Sequence, residues 1–382
     1  MSRPTKILWL TWKDQFHPEA GGAEVVCREI TKRLVADGHS VTMLTSGYGD
    51  AVHQEIVQGI NTIRVGMNRY THPFQALNYY VRNLRNKFDV VIEEVNAAPY
   101  FSTLIESRAR RFVLYHQLER KNWFFETKPP LSHIGHYLLE PVASRILSLA
   151  HVPVITVSES TRRDLVRHGF PAQRTHIISE GLEIEHATDI NTIKKYDQPT
   201  ILSLGSMRAM KRTLDQVKAF EYAKQQLPNL QMKIAGSASS DYGQKVLAYI
   251  KNSPYAADIE YMGRVSTEGK IDLMRKCHVI TVTSVKEGWG LIVTEAASQG
   301  TPAVVYNIDG LRDSVRHQKT GLVTAENPEA LAKSIVELIT DKQLYEKLRR
   351  SAYEWSKEIT FDRSYQDFVR IIGQEKVEGA TV

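Results

Sequence analysis

The sequence predicts a doubly wound α/β protein of two domains, on three observations. Apolar runs of strand length alternate with helical stretches along the whole chain. The strands are nearly continuous in apolar residues, as strands covered by helices on both faces are. The alternation pauses once, near Gly181, and then starts again. Each half is therefore expected to build a parallel sheet, the two domains facing one another across a cleft. At 382 residues the chain is long enough for about two domains, each with its own core.

In the first half the predicted strands are KILWLTW, SVTMLTS, TIRVG, DVVIEEV, RFVLYHQ and PVITVSE. Helices are predicted from about Ala23 to Ala36, after Pro73, near Pro99 and over 132–149. The polar stretch EIEHATDINTIKKYDQP is the predicted linker. TILSLGS, QMKIAGS, DIEYMGR, HVITVTS and PAVVYN follow as strands, then helices in ALAKSIVELIT and KQLYEKLRRSAYEWS. In the last stretch, FDRSYQDFVRIIGQ, Phe361, Tyr365, Phe368 and Ile371 or Ile372 recur at helical spacing. The expected boundaries are 1–185, 186–360 and a terminal helix in 361–382.

A hydrophobic fraction of 42% and a charged fraction of 24% are those of a soluble globular protein. The start, MSRPTKILWLTWKDQ, has only a short apolar run before charge returns, and reads as a first buried strand, not a secretory signal or span. Cys27 and Cys277 lie far apart and lack metal-ligand spacing, so free thiols in a reducing cytoplasm are expected. A net charge of +6 favours an anionic partner. The basic residues are interleaved with acids, and no RNA-binding aromatic motif, zinc finger or basic zipper is present, so nucleic acid is not expected. A phosphorylated substrate and an anionic membrane surface explain the excess equally well.

The most informative stretch is VTSVKEGWGLIVTEAASQGTPAVV, where a strand, a glycine loop, a helix and a second strand follow without a gap. The amides of Gly290, Leu291 and Ile292 open the helix as unpaired donors, which attract phosphate. Glu287 ends its strand and Glu295 lies about one and a half turns into the helix, and each carboxylate can accept two hydrogen bonds from a vicinal diol. A phosphate flanked by two polyols describes a sugar nucleotide. The alternative is an ordinary strand, loop and helix with two solvated glutamates.

The E-x7-E spacing of EGWGLIVTE, followed by GTPAVV, GLRDSV and TGLV, resembles the signature of retaining glycosyltransferases of family 4. The resemblance implies the GT-B fold, two Rossmann-like domains facing a cleft. It also implies that Glu287 contacts hydroxyls of the donor sugar and Glu295 the ribose, with Trp289 standing between Gly288 and Gly290 where phenylalanine is more usual.

Further matches extend it. Gly21 and Gly22 directly precede a helix, where amides can approach an anion without a Cβ in the way; GGAE is similar to the family's loop facing the donor phosphates and acceptor, and a plain tight turn is the other reading. A dehydrogenase is disfavoured because G-x-G-x-x-G is absent. In LSLGSMRAMKRTLDQVKAF, after Gly205, the cations Arg208, Lys211 and Arg212 gather where a strand leads into a helix and suit a diphosphate. Lys211 matches the family's lysine, whereas Ser206 replaces its arginine and Arg212 its glycine; Arg208 supplies the missing charge, or the face is merely basic and solvated. His116, at a strand end, matches a histidine that approaches the donor sugar. Gly263 and Arg264 in EYMGRVST match the loop that meets the nucleobase, and Ser158 reads as the N-cap of VSESTRRDL.

No D-x-D pair, P-loop or G-x-S-x-G elbow occurs. The reading is a retaining, metal-independent glycosyltransferase, a hexosyltransferase, that uses a nucleotide sugar as co-substrate, needs no cofactor, and acts on a lipid-linked or glycan acceptor. Lys211, Arg208 and the helix N-terminus neutralise the leaving diphosphate; Glu287 and His116 complete the catalytic candidates. Alternatives are a nucleotide-sugar-binding protein weak in turnover and another GT-B enzyme such as an epimerase. Trp123, Phe124 and Phe125 are read as core, or as an acceptor lip or membrane contact. The expected location is cytoplasmic and peripheral at the inner membrane face. Reversible anionic contact is assigned to PFQALNYYVRNLRNK, where Phe74, Leu77, Val81 and Leu84 form a stripe beside Arg82, Arg85 and Lys87. The competing reading is a helix packed on its own sheet.

Overall fold

The computed structural model describes residues 4–374 apart from Glu19, Tyr70, Ala97 and Glu106; residues 375–382 of the predicted terminal helix lie outside the described residues. The chain divides into two compact units. Met1–Arg120, Pro130–Gly181 and Thr360–Val382 make the first, and Lys121–Pro129 with Leu182–Ile359 the second.

The first unit carries β1 (Lys6–Leu10), β2 (Ser40–Thr45), β3 (Gln54–Val57), β4 (Ile60–Arg64), β5 (Val90–Val95), β6 (Arg110–Tyr115), β7 (Val154–Thr156) and β8 (Thr175–Ile177). They form one eight-stranded sheet in the order β3-β4-β2-β1-β5-β6-β7-β8, parallel throughout except for the β3/β4 hairpin. Helices cover both faces, so Ile7, Leu8, Trp9 and Leu10 are all fully buried. The hairpin was not predicted. Its first strand alternates half-buried and exposed residues at the sheet edge, and the turn is made by Gln58 and Gly59, both with positive φ, as the strand twist requires.

Two helical predictions change on inspection. Near Pro99 there is only a single turn, Ser102–Leu104. The buried Glu93 carboxylate accepts the amides of Tyr100, Phe101 and Thr103 and the Ser102 hydroxyl, and so stabilises a capped loop in place of a helix. The 132–149 helix is present as Leu131–Ser148, widened to i→i+5 turns over Gly135–Leu139. After Pro73 the helix His72–Tyr79 continues into a similar widened turn, Tyr80–Leu84. Its predicted stripe splits: Leu84 is buried and Leu77 half-buried, Phe74 and Val81 are exposed, and the buried face is completed by Ala76 and Tyr80.

The second unit holds β9 (Thr200–Leu204), β10 (Gln231–Ala235), β11 (Ile259–Tyr261), β12 (Val279–Val282), β13 (Ala303–Tyr306) and β14 (Gly321–Thr324), all parallel, in the order β11-β10-β9-β12-β13-β14. The polar stretch before β9, predicted as a linker, is laid along this unit. Ala187 and Ile190 are buried, and Lys195 Nζ donates to Cys277 O, Gly300 O and Thr301 Oγ1 at 2.9, 3.0 and 2.6 Å. The segment 121–129, predicted within the first domain, also groups here, and its Phe124 and Phe125 are exposed, against the core reading.

The terminal helix Phe361–Gln374 belongs to the first unit. Phe368 stacks on Trp9 with ring centroids 5.5 Å apart, and Phe361, Ile371 and Ile372 are buried in the same core. Cys27 and Cys277 are free and buried.

Candidate functional site

In the second unit the chain leaves β9 toward β10 and β11, then returns to β12 on the other side of β9. Loops beyond the carboxyl ends of β9 and β12 therefore diverge, and this switch point is where open α/β sheets bind ligands. The loop after β9 brings Lys211, and the loop after β12 brings Glu287. Lys211 Nζ lies 2.5 Å from Glu287 Oε1, and Ser284 Oγ donates to the same oxygen at 2.6 Å. Thr283 Oγ1 donates to Lys211 O at 2.9 Å and fastens the two loops together. The GLRDSV segment closes on the same place. A Cβ on Gly310, at φ 84, would stand 2.3 Å from Glu287 O, so only glycine fits this approach.

Glu295 is buried in the helix Leu291–Ser298 and pairs with Lys270 Nζ at 2.7 Å. Burial raises its carboxyl above the ordinary range, Lys270 works against that, and Glu183 adds to the rise. Lys270 had no motif to announce it in TEGKIDLMRK. Gly290, at φ 97, caps this helix, and Leu291 and Ile292 supply its first amides. Gly288 and Trp289 precede them half-buried, the Trp289 ring 6.1 Å from Trp355.

Three neighbouring strands end in glycine. Gly205, Gly236 and Gly263 follow β9, β10 and β11, with Gly205 N donating to Ala235 O and Gly236 N to Gly263 O at 2.9 and 2.7 Å. A Cβ on Gly236 would fall 1.9 Å from Gly205 O. Gly236 was missed although QMKIAGS ends as TILSLGS does. Arg264 is exposed beside Gly263. Arg208 is half exposed, 3.8 Å from Glu126, and donates to Met210 Sδ. Arg212 has φ 50 and ψ 41, the left-handed conformation that a glycine adopts without strain, which gives a physical reason for the family's glycine there. Its guanidinium is held by Glu326 at 2.8 Å and lies over Tyr306.

The first unit has its own switch point, between β1 and β5. Gly21 caps the helix Gly22–Ala36, and both glycines are exposed. The Gly21 amide is engaged by the buried Glu24 carboxylate at 2.6 Å, which also accepts from Asn96 at 3.0 Å and stands 3.6 Å from Lys13. His116 is buried beyond β6, its Nε2 3.0 Å from Glu94 Oε1, while Trp9 Nε1 donates to Glu94 Oε2 at 2.5 Å. Glu24 and Glu94 escaped the sequence reading because single acids in GGAEVV and VVIEEV carry no motif.

Burial lowers the His116 pKa, but the hydrogen bond and charge of Glu94 outweigh it and hold the ring above its ordinary 6.5. Burial pushes Glu180 up to about 7, against the opposing pull of His116, and its Oε2 has no hydrogen-bond partner among the described residues. Both shifts act in one direction. The histidine contributes stability that is complete below 6.5 and lost as pH rises through its higher folded value; the carboxyl loses its neutral buried form between 4.5 and about 7. Stability should therefore fall as pH rises from 4.5 through about 7, with the histidine's share lost above 6.5, and Glu180→Gln should flatten the first part of that fall and raise Tm at a pH above about 7 by roughly 3 to 6 °C. A variant melting at or below the native temperature at the higher pH would contradict this.

Two family models match the chain. "Glycosyltransferase Family 4" covers residues 20–186 and "Glycosyl transferases group 1" residues 185–355. The chain is 22% identical over 381 residues to an uncharacterized glycosyltransferase of Methanocaldococcus jannaschii, covering 88% of this chain and 89% of that one. It is 21% identical over 360 residues to N-acetyl-alpha-D-glucosaminyl L-malate synthase of Bacillus anthracis, covering 88% and 91%. Among solved structures it is similar to sucrose-phosphate synthase from Thermosynechococcus elongatus, with TM-score 0.76, 17% identity and 97% and 98% of the two chains covered. Anabaena Alr3699/HepE in complex with UDP and glucose matches with TM-score 0.72, 16% identity and coverages of 97% and 100%.

Proposed function

Because the chain is a glycosyltransferase of the GT-B fold, we propose that it moves a hexose from a nucleotide-sugar donor to a glycan or lipid-linked acceptor with retention and without a metal. The observation that carries this reading is the pair of lysine-bound glutamates on either side of one helix N-terminus, Lys211–Glu287 and Lys270–Glu295. The helix amides and Lys211 receive the diphosphate, with Arg208 at the rim. Glu287 accepts Lys211 and Ser284 at Oε1, so Oε2 is the oxygen offered to the donor-sugar hydroxyls. Glu295 accepts from the ribose diol, its charge kept in place by Lys270. The glycine rim of Gly205, Gly236 and Gly263 gives the nucleobase a surface free of side chains. The UDP and glucose held by the Anabaena protein are the two parts of a nucleotide sugar of the class proposed.

In the step itself an acceptor hydroxyl attacks the anomeric carbon on the face from which the diphosphate departs. The bond from that carbon to phosphate oxygen breaks, and the acceptor proton passes to the departing phosphate. Developing negative charge on the leaving group is met by Lys211, Arg208 and the helix amides, fixed before the reaction begins. For His116, held by Glu94 within the first unit, the role proposed is the one the family resemblance implies, contact with the donor sugar. Metal independence rests on these cations and on the lack of a D-x-D pair. Transfer should accordingly survive exhaustive EDTA treatment with less than about a twofold loss, whereas loss on chelation and recovery with magnesium would reassign the leaving-group role to a metal.

The second reading is a nucleotide-sugar-binding protein weak in turnover, favoured by Ser206 where the family has arginine. A thermal-shift screen of nucleotide sugars followed by an assay of nucleotide release separates the two: a donor that stabilises the protein yet is never turned over, with any acceptor, supports the binding protein. Among the described residues no helix is long and apolar enough to cross a membrane. Peripheral contact at an inner membrane face, where a lipid-linked acceptor would be met, is therefore part of the proposal.

A further inference from the structure

We propose that the outer face of the 131–149 run docks on an anionic membrane surface. The run is inside out. The side chains it turns into the first unit are small or polar, Ser132, Glu140, Ser144 and Ser148 around Gly135, with Leu147 the one large apolar residue among them. The side chains it turns to solvent include Ile134, Tyr137, Leu138, Val142, Ile146 and Leu149, exposed by 39% to 69%. Positions 134, 138, 142, 146 and 149 advance by three or four residues and so lie along one ridge. Single exposed apolar side chains are ordinary on any surface, but a continuous ridge of this length marks a contact.

Charge selects the occupant. Between Leu131 and Leu149 the only acid is Glu140, and it is turned inward, accepting the Glu119 and Arg120 amides at 2.5 and 2.8 Å. The outward polar groups are His133 and Arg145, with His136 half-buried beside them. No carboxylate on the ridge would meet anionic headgroups, while Arg145 is drawn to them. A bilayer also accepts mixed Leu, Ile, Val and Tyr without a shaped counterface, the tyrosine ring sitting at headgroup level. The stretch predicted for this contact from sequence offers only Phe74 and Val81 of its four stripe residues to solvent.

This inference deepens the lipid-linked reading of the acceptor, so binding is measured without donor or acceptor and the two can fail separately. The full-length protein is sedimented with phosphatidylcholine vesicles and with vesicles containing phosphatidylglycerol, at low and high salt. Anionic vesicles should carry the protein down at low salt, and Leu138→Asp/Val142→Asp should weaken that binding by on the order of tenfold or more while nucleotide release from the donor is unchanged. A Phe74→Asp variant should bind as the native protein does. If the aspartates prevent folding, Leu138→Ser/Val142→Ser replaces them. The proposal is overturned if the native protein stays in the supernatant with both vesicle types, or if the folded double variant binds anionic vesicles as well as the native protein. It is equally overturned if the native protein is a dimer that the double variant makes monomeric and neither binds vesicles, since a second copy then covers the ridge.

Discussion

Lys211→Ala should lower kcat by about 10²- to 10³-fold, roughly 3 to 4 kcal/mol of barrier, with a smaller change in donor affinity. The lysine opposes charge that grows as the diphosphate leaves, so its largest contribution comes in the transition state. Its removal also leaves Glu287 with only Ser284 on Oε1, an anion beside the departing anion. Glu287→Ala should act mainly on turnover as well, by on the order of 2 to 4 kcal/mol, because a contact that positions the sugar is lost. As the two side chains form one ion pair, the double variant should lose less than the sum of the single losses. Steady-state kinetics on the three proteins test this. Turnover within about threefold of native in Lys211→Ala would remove the assignment of the leaving-group cation.

Glu295→Ala should instead act on nucleotide binding, raising Kd by about 30- to 1000-fold, the equivalent of roughly 2 to 4 kcal/mol. The carboxylate is buried and held by Lys270, so its loss removes a diol acceptor and takes away the carboxylate that Lys270 pairs with. Lys270→Met separates these effects. With its counter-ion gone, the buried Glu295 should bind protons more readily, and nucleotide affinity should then fall at a higher pH than in the native protein. Calorimetric titration with the free nucleotide reads both variants; an unchanged Kd in Glu295→Ala would detach this residue from the ribose.

Much of the fold was legible because parallel strands buried on both faces must be written as apolar runs, and runs such as HVITVTS and RFVLYHQ leave little choice. What escaped did so for physical reasons. The β3 strand lies at a sheet edge and has no second face to bury, and β8 is three residues long. Near Pro99 a carboxylate from another strand, Glu93, captures the amides that a helix would have used, an interaction between positions that no local pattern records. The candidate site divides along the same line. Glu287, Glu295 and Lys211 sit in motifs whose spacing is visible, and the structure brings Lys211 to Glu287. Lys270, Glu24 and Glu94 are single charged residues that gain meaning only from the strand or helix packed against them. Arg212 is an instructive case: the departure from the family pattern could be read, but not that the residue adopts a left-handed backbone and lends its side chain to Glu326.

The return of the terminal helix to the first unit sets an order for biosynthesis. Trp9 lies in β1, yet its stacking partner Phe368 is translated only after the whole of the second unit, and Phe361, Ile371 and Ile372 complete the same core. The second unit, apart from 121–129, is contiguous from Leu182 to Ile359 and can close while the ribosome is still at work. The N-terminal unit cannot. Its strands must wait with part of an apolar face uncovered until the ribosome has passed the terminal helix, so a nascent chain needs shielding there for as long as the second unit takes to make, and a truncation before Thr360 would leave that part bare.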